Sequence, residues 1–310
     1  MPINKKIEEI KEILVKKGFC VWVVCEGVVS CFDILARRDD EIFVLKIYKF
    51  IESVTKSNAE EMKNLAACLS AYLIVLAEVS KNCKLNDDVL YSRYNISVVT
   101  YNTLKKILDE ESPLLYSTRG NYCAEIDEEI FLEIKARLNL TLDDIAKSLN
   151  VSKQAVYRYE TQGRIPQNVI EKFSEIFGSD VIKKVKISKN SKLHPAKKEL
   201  YVSDKISALG FMTWEGSAAF NILAVNTVDK NEFNINRKED KNFIIVSNDF
   251  RVLTRRANFV EEITEIIPGI CVCIGKYKPS KTFGKRAKFI KENDLMNIET
   301  KEEFIELVKE

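Results

Sequence analysis

Four donor-rich side chains, Lys153, Gln154, Tyr157 and Arg158, cluster in the stretch LTLDDIAKSLNVSKQAVYRYETQGRIP, residues 140–166. At helical spacing they fall on or near one outer side, which carries no carboxylate before Glu160. Such a face suits base edges and phosphates, since glutamine can bond adenine bidentately and lysine can reach guanine. Other chemistry lacks its raw material. His194 is the only histidine, and the eight cysteines (Cys20, Cys25, Cys31, Cys68, Cys83, Cys123, Cys271 and Cys273) never form a CxxC pair. This argues against Cys/His zinc sites and most histidine-based catalysis, so neither a metal nor a cofactor is expected. Scattered thiols of this kind are expected to be small buried residues in a reducing cytosol, and no secretory signal peptide is apparent.

The surrounding elements must hold that face outward. Thr141 can cap a helix whose first turn carries Asp143 and Asp144, and Leu142, Ile145, Ala146 and Leu149 lie on one side of it. Asn150 tolerates the left-handed conformation of a sharp turn, Val151 can fold back into the core, and Ser152 can cap the next helix. In that helix Val156 and Tyr159 pack inward. IDEEIFLEIKARL before it and VIEKFSEIF after it read as further amphipathic helices, with Gly163 and Pro166 as punctuation. A four- to five-helix unit around a helix-turn-helix is predicted.

Ala146, the step Val151-Ser152, the pair Tyr159-Glu160 and the Gly163-x-x-Pro166 ending together resemble the lambda-repressor-like (Cro type) helix-turn-helix family. Asn150 departs from it, standing where glycine is frequent. The resemblance implies base reading by Lys153, Gln154 and Tyr157, and phosphate contacts from Thr141, Arg158 and Thr161. A helix-turn-helix that only packs or dimerises is the alternative.

Charge complicates the picture. From Asp127 to Gly178 nine acids outnumber seven bases, so attraction to phosphates must come from outside this unit. The run VIKKVKISKNSKLHPAKK follows directly and holds Lys183, Lys184, Lys186, Lys189, Lys192, Lys197 and Lys198 with no acid. The run KYKPSKTFGKRAKFIK from Lys276 holds seven more bases. Lys183, Lys184 and Lys186 are the first candidates to neutralise phosphates; a solvated linker or loop is the alternative.

The two flanks repeat one order of patterns. KKGFCVW, CFDILA, EIFVLKIYKF, AYLIVLAEVSK and VVTYNTLKKIL are matched by ALGFMTW, AFNILA, NFIIVSNDF, GICVCIGKYK and IETKEEFIELV. A constant offset of 200 pairs Phe43 with Phe243 and Thr100 with Thr300. The second flank carries a longer polar insert, TVDKNEFNINRKEDK. A helix such as SNAEEMKNLAACLS between apolar strands predicts a βαβ crossover and a mixed α/β sheet. The outline resembles the restriction-endonuclease-like superfamily with its PD and (D/E)xK pattern: Asp33 and Lys46 match the first acid and the lysine, and Val44 stands where the second acid belongs. One carboxylate and a lysine make an ion pair but do not fix Mg²⁺. In the second flank Asn221 replaces the acid and, at the offset of 200, Val246 the lysine. Asp33 and Lys46 are therefore read as vestigial, with Asp39, Asp40 or Glu61 as the only substitutes for the missing acid.

With 46% hydrophobic and 30% charged residues, the 310-residue chain can bury more than one core. The expected class is α/β plus all-α. Residues 1–118 are expected as a degenerate nuclease-like α/β domain, 119–180 as the helix-turn-helix, 181–199 as a basic linker and 200–310 as a second α/β copy. The order resembles a group of archaeal transcriptional regulators, which implies double-stranded DNA as partner and flanks that dimerise, brace or sense a signal. The longest apolar stretch, from Leu65, is shorter than the roughly 20 residues a membrane helix needs, so a cytoplasmic protein is expected. A metal-dependent nuclease or junction resolvase targeted by the helix-turn-helix, and a pure interaction scaffold, are the rival readings.

Overall fold

The computed structural model describes residues 3–24, 30–81, 83–118, 120–189, 200–226, 241–277 and 284–309. The chain divides into two compact units, one of residues 1–75 with 188–310 and the other of residues 76–187.

The first unit opens with α1 (Ile3–Lys16), an amphipathic helix that buries Ile10 and Leu14. Three strands follow: β1 (Cys20–Val23), β2 (Ile34–Arg38) and β3 (Glu41–Ile47), with β2 antiparallel to both others. The run EIFVLKI is buried along nearly its whole length, as a strand covered on both faces requires. Next come α2 (Lys56–Leu69), whose start Thr55 caps by accepting the Asn58 N–H, and β4 (Tyr72–Leu76), the neighbour of β3 in the sheet.

In the second unit β5 (Val79–Ser80) and β6 (Cys83–Lys84) form a small ribbon, and β7 (Val89–Arg93) and β8 (Ile96–Val99) a hairpin. The helix α3 (Tyr101–Leu108) is capped by Thr100, and β9 (Leu115–Thr118) and β10 (Asn121–Ile126) lead into the helices. These are α4 (Glu128–Arg137), α5 (Leu142–Leu149), α6 (Lys153–Gln162) and, after the strand β11 (Arg164–Pro166), α7 (Ile170–Phe177). The strand β12 (Ile182–Lys183) ends the series. Among the described residues this stretch thus holds four α-helices, of which α5 and α6 form the helix-turn-helix, and two 3₁₀ turns.

The helices do not stand alone. β9 runs parallel to β7, and β10 pairs antiparallel with β9, β11 and β12. Sequence reading expects only helices and a turn here, because strands of two or three residues are too short to show a period of two. Backbone pairing explains them: β10 passes next to the core, and its main-chain groups need partners there. The core itself is built on Phe131, Phe173 and Phe177, whose ring centroids lie 4.6–5.5 Å apart, with Ile145, Val156 and Ile165 packed around them.

The first unit resumes with α8 (Tyr201–Ala208), β13 (Met212–Glu215), β14 (Ile222–Val225) and β15 (Lys241–Val246). Then come α9 (Phe250–Ile266), β16 (Ile270–Gly275), β17 (Lys288–Lys291), α10 (Glu292–Asn297) and α11 (Lys301–Lys309). The strands order β13-β14-β15-β16-β17: the first three are antiparallel, and β16 runs parallel to β15 and β17. The crossover through α9 makes the sheet mixed. The polar insert expected before β15 lies outside the described residues, apart from Lys241, which is fully buried as the first residue of β15.

Within this unit the two stretches of chain embrace each other. Trp22 donates through Nε1 to Glu262 at 3.0 Å, and Trp214 donates through Nε1 to the Glu61 carbonyl at 3.0 Å. Arg37 reaches the Ile266 carbonyl at 3.1 Å. Cys31, Cys68, Cys271 and Cys273 are buried, as expected of small apolar residues; Cys20 and Cys83 are exposed, which the sequence reading did not foresee. Among the described residues no helix is long and apolar enough to cross a membrane.

Phe131 touches both other rings of the helical core and is fully buried. Phe131→Ala should destabilise the unit by about 3–5 kcal/mol through lost burial and the cavity left behind. Urea unfolding followed by far-UV circular dichroism measures this, and a loss below about 1 kcal/mol would show that the three rings are not its core.

Candidate nucleic-acid interface

The first helix of the pair, α5, begins in a reciprocal cap. The Thr141 hydroxyl accepts the Asp144 N–H at 3.2 Å, and the Asp144 carboxylate accepts the Thr141 N–H at 3.0 Å and its hydroxyl at 2.6 Å. The Thr141 hydroxyl, then its main-chain N–H, hold the Asp144 carboxyl below its ordinary range. At the other end Asn150 adopts φ 55°, the left-handed state that turns the chain, and the Val151 N–H returns to the Ala146 carbonyl at 3.0 Å. An amide side chain suffices where glycine is the commoner choice. Ser152 then caps α6 by accepting the Ala155 N–H at 3.2 Å.

Val156 and Tyr159 anchor α6 in the core, which leaves Lys153, Gln154, Tyr157, Arg158 and Thr161 exposed together. Tyr157 is 57% exposed, a large ring with no core to fill. Arg158 Nε bonds the Gln154 carbonyl at 3.4 Å and the Thr161 hydroxyl the Tyr157 carbonyl at 2.9 Å, so both lie back along the helix. At the far end Gly163 closes α6 at φ 61°, and its carbonyl accepts the Ile126 N–H at 2.9 Å. Lys135 of α4 meets Glu160 at 2.9 Å, both largely buried, and fixes how α6 lies on α4.

Two of the candidate lysines are paired with acids. Asp143 pairs with Lys153 at 2.9 Å, and Asp127 with Lys183 at 3.3 Å. The partners lie on separate elements, so no helical spacing reveals them. Lys153 and Asp143 are 59% and 58% exposed, which makes their bond worth roughly 0.2–1 kcal/mol, little enough for a phosphate or base to replace it. Lys184 and Lys186 are exposed, and Lys189 donates to the Asp40 carbonyl at 2.7 Å. Lys192, Lys197 and Lys198, with Lys278 and Lys281 of the second basic run, lie outside the described residues.

The second cluster sits where β2 begins. Lys46 Nζ lies 2.8 Å from Asp33 Oδ1 and 2.9 Å from the Ser30 carbonyl, while Asp33 Oδ2 accepts the Ile47 N–H at 2.7 Å. Both carboxylate oxygens are engaged within the fold. Val44 is fully buried where a nuclease needs its second acid. Asp39 and Asp40 lie beyond the far end of β2, roughly 20 Å along an extended strand from Asp33. Glu61 is the closer substitute, and it feels Lys46 electrostatically, but its carboxylate accepts the Ser217 N–H. The Ser217 carbonyl in turn accepts the Cys31 N–H at 2.7 Å. These residues do not fit a divalent ion, and among the described residues no group of three His, Cys, Asp or Glu could hold one. Cys31 is buried beside them, and burial first, then Glu61, push its thiol pKa well up.

Hydrogen bonds give Asn221 the place of Asp33. The Asp33 N–H bonds the Leu45 carbonyl and the Asn221 N–H the Ile244 carbonyl, each at 2.8 Å, and Asn221 Oδ1 accepts the Val246 N–H at 3.0 Å as Asp33 accepts that of Ile47. The residue in the place of Lys46 is therefore Ile245, and the offset of 200 that selects Val246 is one residue too long there. Phe243 likewise faces Leu223 as Val44 faces Leu35, whereas Phe43 faces Ala36.

Residues 3–113 match the PD-(D/E)XK superfamily domain and residues 133–182 a helix-turn-helix. The chain is similar along its length to archaeal proteins that bear the name "Putative HTH-type transcriptional regulatory protein". That of Archaeoglobus fulgidus is 28% identical over 98% of this chain and 97% of its own. The relative in Methanocaldococcus jannaschii is 26% identical over 90% and 89%, and the one in Pyrococcus furiosus 28% over 91% and 90%. No solved structure matches the chain.

Burial raises the Glu61 pKa above its ordinary value against the opposing pull of the Ser217 N–H and Lys46. A carboxyl whose pKa is raised on folding contributes stability that is present below its unfolded value and lost as pH climbs through the folded one. Glu61→Gln keeps an acceptor for Ser217 and removes the charge. It should match the parent near pH 4 and gain on it toward pH 7, a divergence that thermal melts across that range detect; parallel melting curves would mean that Glu61 is not strained by its burial.

Proposed function

We propose that this chain, a helix-turn-helix protein of the Cro and lambda-repressor type joined to a PD-(D/E)XK superfamily domain, is a sequence-specific DNA-binding transcriptional regulator. The observation that carries the reading is the outer face of α6, where Gln154 and Tyr157 project into solvent and Lys153 makes only an exposed, weak pair with Asp143, while both helix ends are fixed. In this reading those three side chains meet base edges in a major groove, and Thr141, Arg158, Thr161, Lys183, Lys184 and Lys186 meet phosphates. Thr141 and Lys183 already hold Asp144 and Asp127, so each approaches a phosphate by sharing or releasing that bond.

We read residues 1–118 and 200–310 as two copies of one small α/β domain, on either side of the helix-turn-helix at 119–180 and the basic linker at 181–199. Supporting this, each copy begins with a helix, lays down three antiparallel strands and crosses by a helix to the next strand, and Asp33 and Asn221 make the same main-chain bonds. The copies brace the DNA-reading unit or sense a signal in a cytoplasmic homodimer. Neither cleaves DNA in this reading, because Asp33 is committed to Lys46 and Ile47 and, among the described residues, no group of acids could hold a metal ion. Supercoiled plasmid and synthetic junctions incubated with the protein in Mg²⁺ and Mn²⁺ should stay intact. Cleavage abolished by Asp33→Ala but kept in Tyr157→Ala would establish the rival nuclease.

Duplexes selected from a random pool test the regulator directly. One bidentate base contact is worth roughly 1–3 kcal/mol of discrimination, so Gln154→Ala should weaken a selected duplex by about tenfold or more and random DNA little. Changing Lys183, Lys184 and Lys186 to Ala should weaken both and lower the salt slope by about one for each phosphate no longer neutralised. Equal weakening of both duplexes in Gln154→Ala, or an unchanged slope in the triple variant, would remove the division between a reading helix and a basic clamp.

A further inference from the structure

In the C-terminal sheet the place of Asp33 belongs to Asn221, and its partner is a guanidinium. Arg256 Nη1 of α9 donates to Asn221 Oδ1 at 3.1 Å, beside the Val246 N–H that the same oxygen accepts at 3.0 Å. Two donors on Oδ1 orient the amide, which leaves its Nδ2 donor, with the other Arg256 N–H groups, without a partner among the described residues. The contrast with the N-terminal sheet is one of charge. There a carboxylate neutralises Lys46; here a neutral amide takes its place, and among the described residues no carboxylate pairs with Arg256.

More positive charge gathers at the same end of the sheet. Arg251 and Arg255 are exposed one turn apart on α9, and among the described residues neither they nor Arg256 forms an ion pair. The Lys276 N–H bonds Asn248 Oδ1 at 2.9 Å, which brings the end of β16 to the turn that starts α9. One acid lies in that turn, Asp249, and it caps α9 by accepting the Arg251 N–H. Burial, then Arg255, lower the Arg256 pKa, a conflict that a bound anion relieves. The location is also the one where open α/β sheets hold ligands, beyond the carboxyl ends of parallel strands, here β15 and β16.

We propose that this end of the C-terminal sheet binds a phosphodiester of the DNA backbone, with Arg256 and Asn221 at its centre and Arg251, Arg255 and Lys276 around them. The inference rests on the DNA-binding function above and adds a second contact with DNA, made by the domain in which an amide stands where the first acid of a nuclease would be and an arginine of α9 meets it. An arginine fork held by an amide suits a phosphate oxygen pair and needs no metal. It carries no sequence information, so its contribution is the same on every duplex.

Asn221→Asp tests the centre while keeping its hydrogen bonds, because Asp accepts the same Val246 and Arg256 donors and adds one negative charge. Binding of the full-length variant to random and selected duplexes over a salt series should weaken several-fold on both, with the salt slope lower by about one. Arg251→Glu with Arg255→Glu, two exposed positions, should lower the slope by about two with the circular dichroism spectrum unchanged. Gln154→Ala run alongside separates the two ideas. Parental slopes in both flank variants, with Gln154→Ala still losing the selected duplex, would overturn this site and leave the regulator standing; no duplex binding by the parent protein would overturn both. Inorganic phosphate at constant ionic strength is the last arm: phosphate bound by the parent and lost in Asn221→Asp, with parental DNA slopes, would make this a free-anion site and overturn the DNA contact.

Discussion

Hydrogen bonds at the two ends of α6 are the constraint on which the helix-turn-helix depends. At the entrance Asn150 turns left-handed and Ser152 caps; at the exit the Gly163 carbonyl takes the Ile126 N–H and Ile165 enters the ladder with β10. Buried backbone groups must be paired, so these bonds leave the helix one position. Val156 and Tyr159 then need only fill the core. The outer side chains contribute little to holding α6 in place and are free to be chosen for what they touch.

Electrostatics follows from the same scaffold. The acids that begin α5 do structural work: Asp144 completes a capping box, and acidic charge suits a helix start. Their cost is proximity to the outer face of α6, where Asp143 holds Lys153. An exposed pair of this kind is weak and screened by salt, so it delays Lys153 little. Because the unit carries slightly more acid than base, affinity for a polyanion has to be supplied by lysines and arginines on neighbouring segments.

The flank that matches the PD-(D/E)XK superfamily shows how the sheet itself can hold a polar residue in place. Asp33 and Asn221 each close the antiparallel ladder by accepting a main-chain N–H from the next strand, a duty an aspartate or asparagine can perform and an apolar residue cannot. Around that fixed point the rest diverges: Lys46 balances one carboxylate, while Arg256 meets an amide. Glu61, an acid near Lys46 among the described residues, is tied by Ser217 to the opposite stretch of chain.

Much of this was legible in the sequence. Thr141, Asn150, Ser152 and Gly163 mark helix ends by local stereochemistry, and the apolar periods of α5, α6 and α7 choose their buried faces, so the turn and its outward residues follow from neighbours within a few positions. The missing acid at Val44 is likewise a matter of period two along one strand. What the sequence could not decide are bonds between residues far apart in the chain: Lys135 with Glu160, Asp143 with Lys153, Glu61 with Ser217, Trp22 with Glu262. The strands β11 and β12 belong with these, being too short to show a period and existing only because β10 offers them a partner. So does the one-residue register that assigns Ile245 to the place of Lys46, since strand pairing is set by hydrogen bonds across the sheet, and a constant offset in the sequence does not register a single residue inserted or deleted between strands.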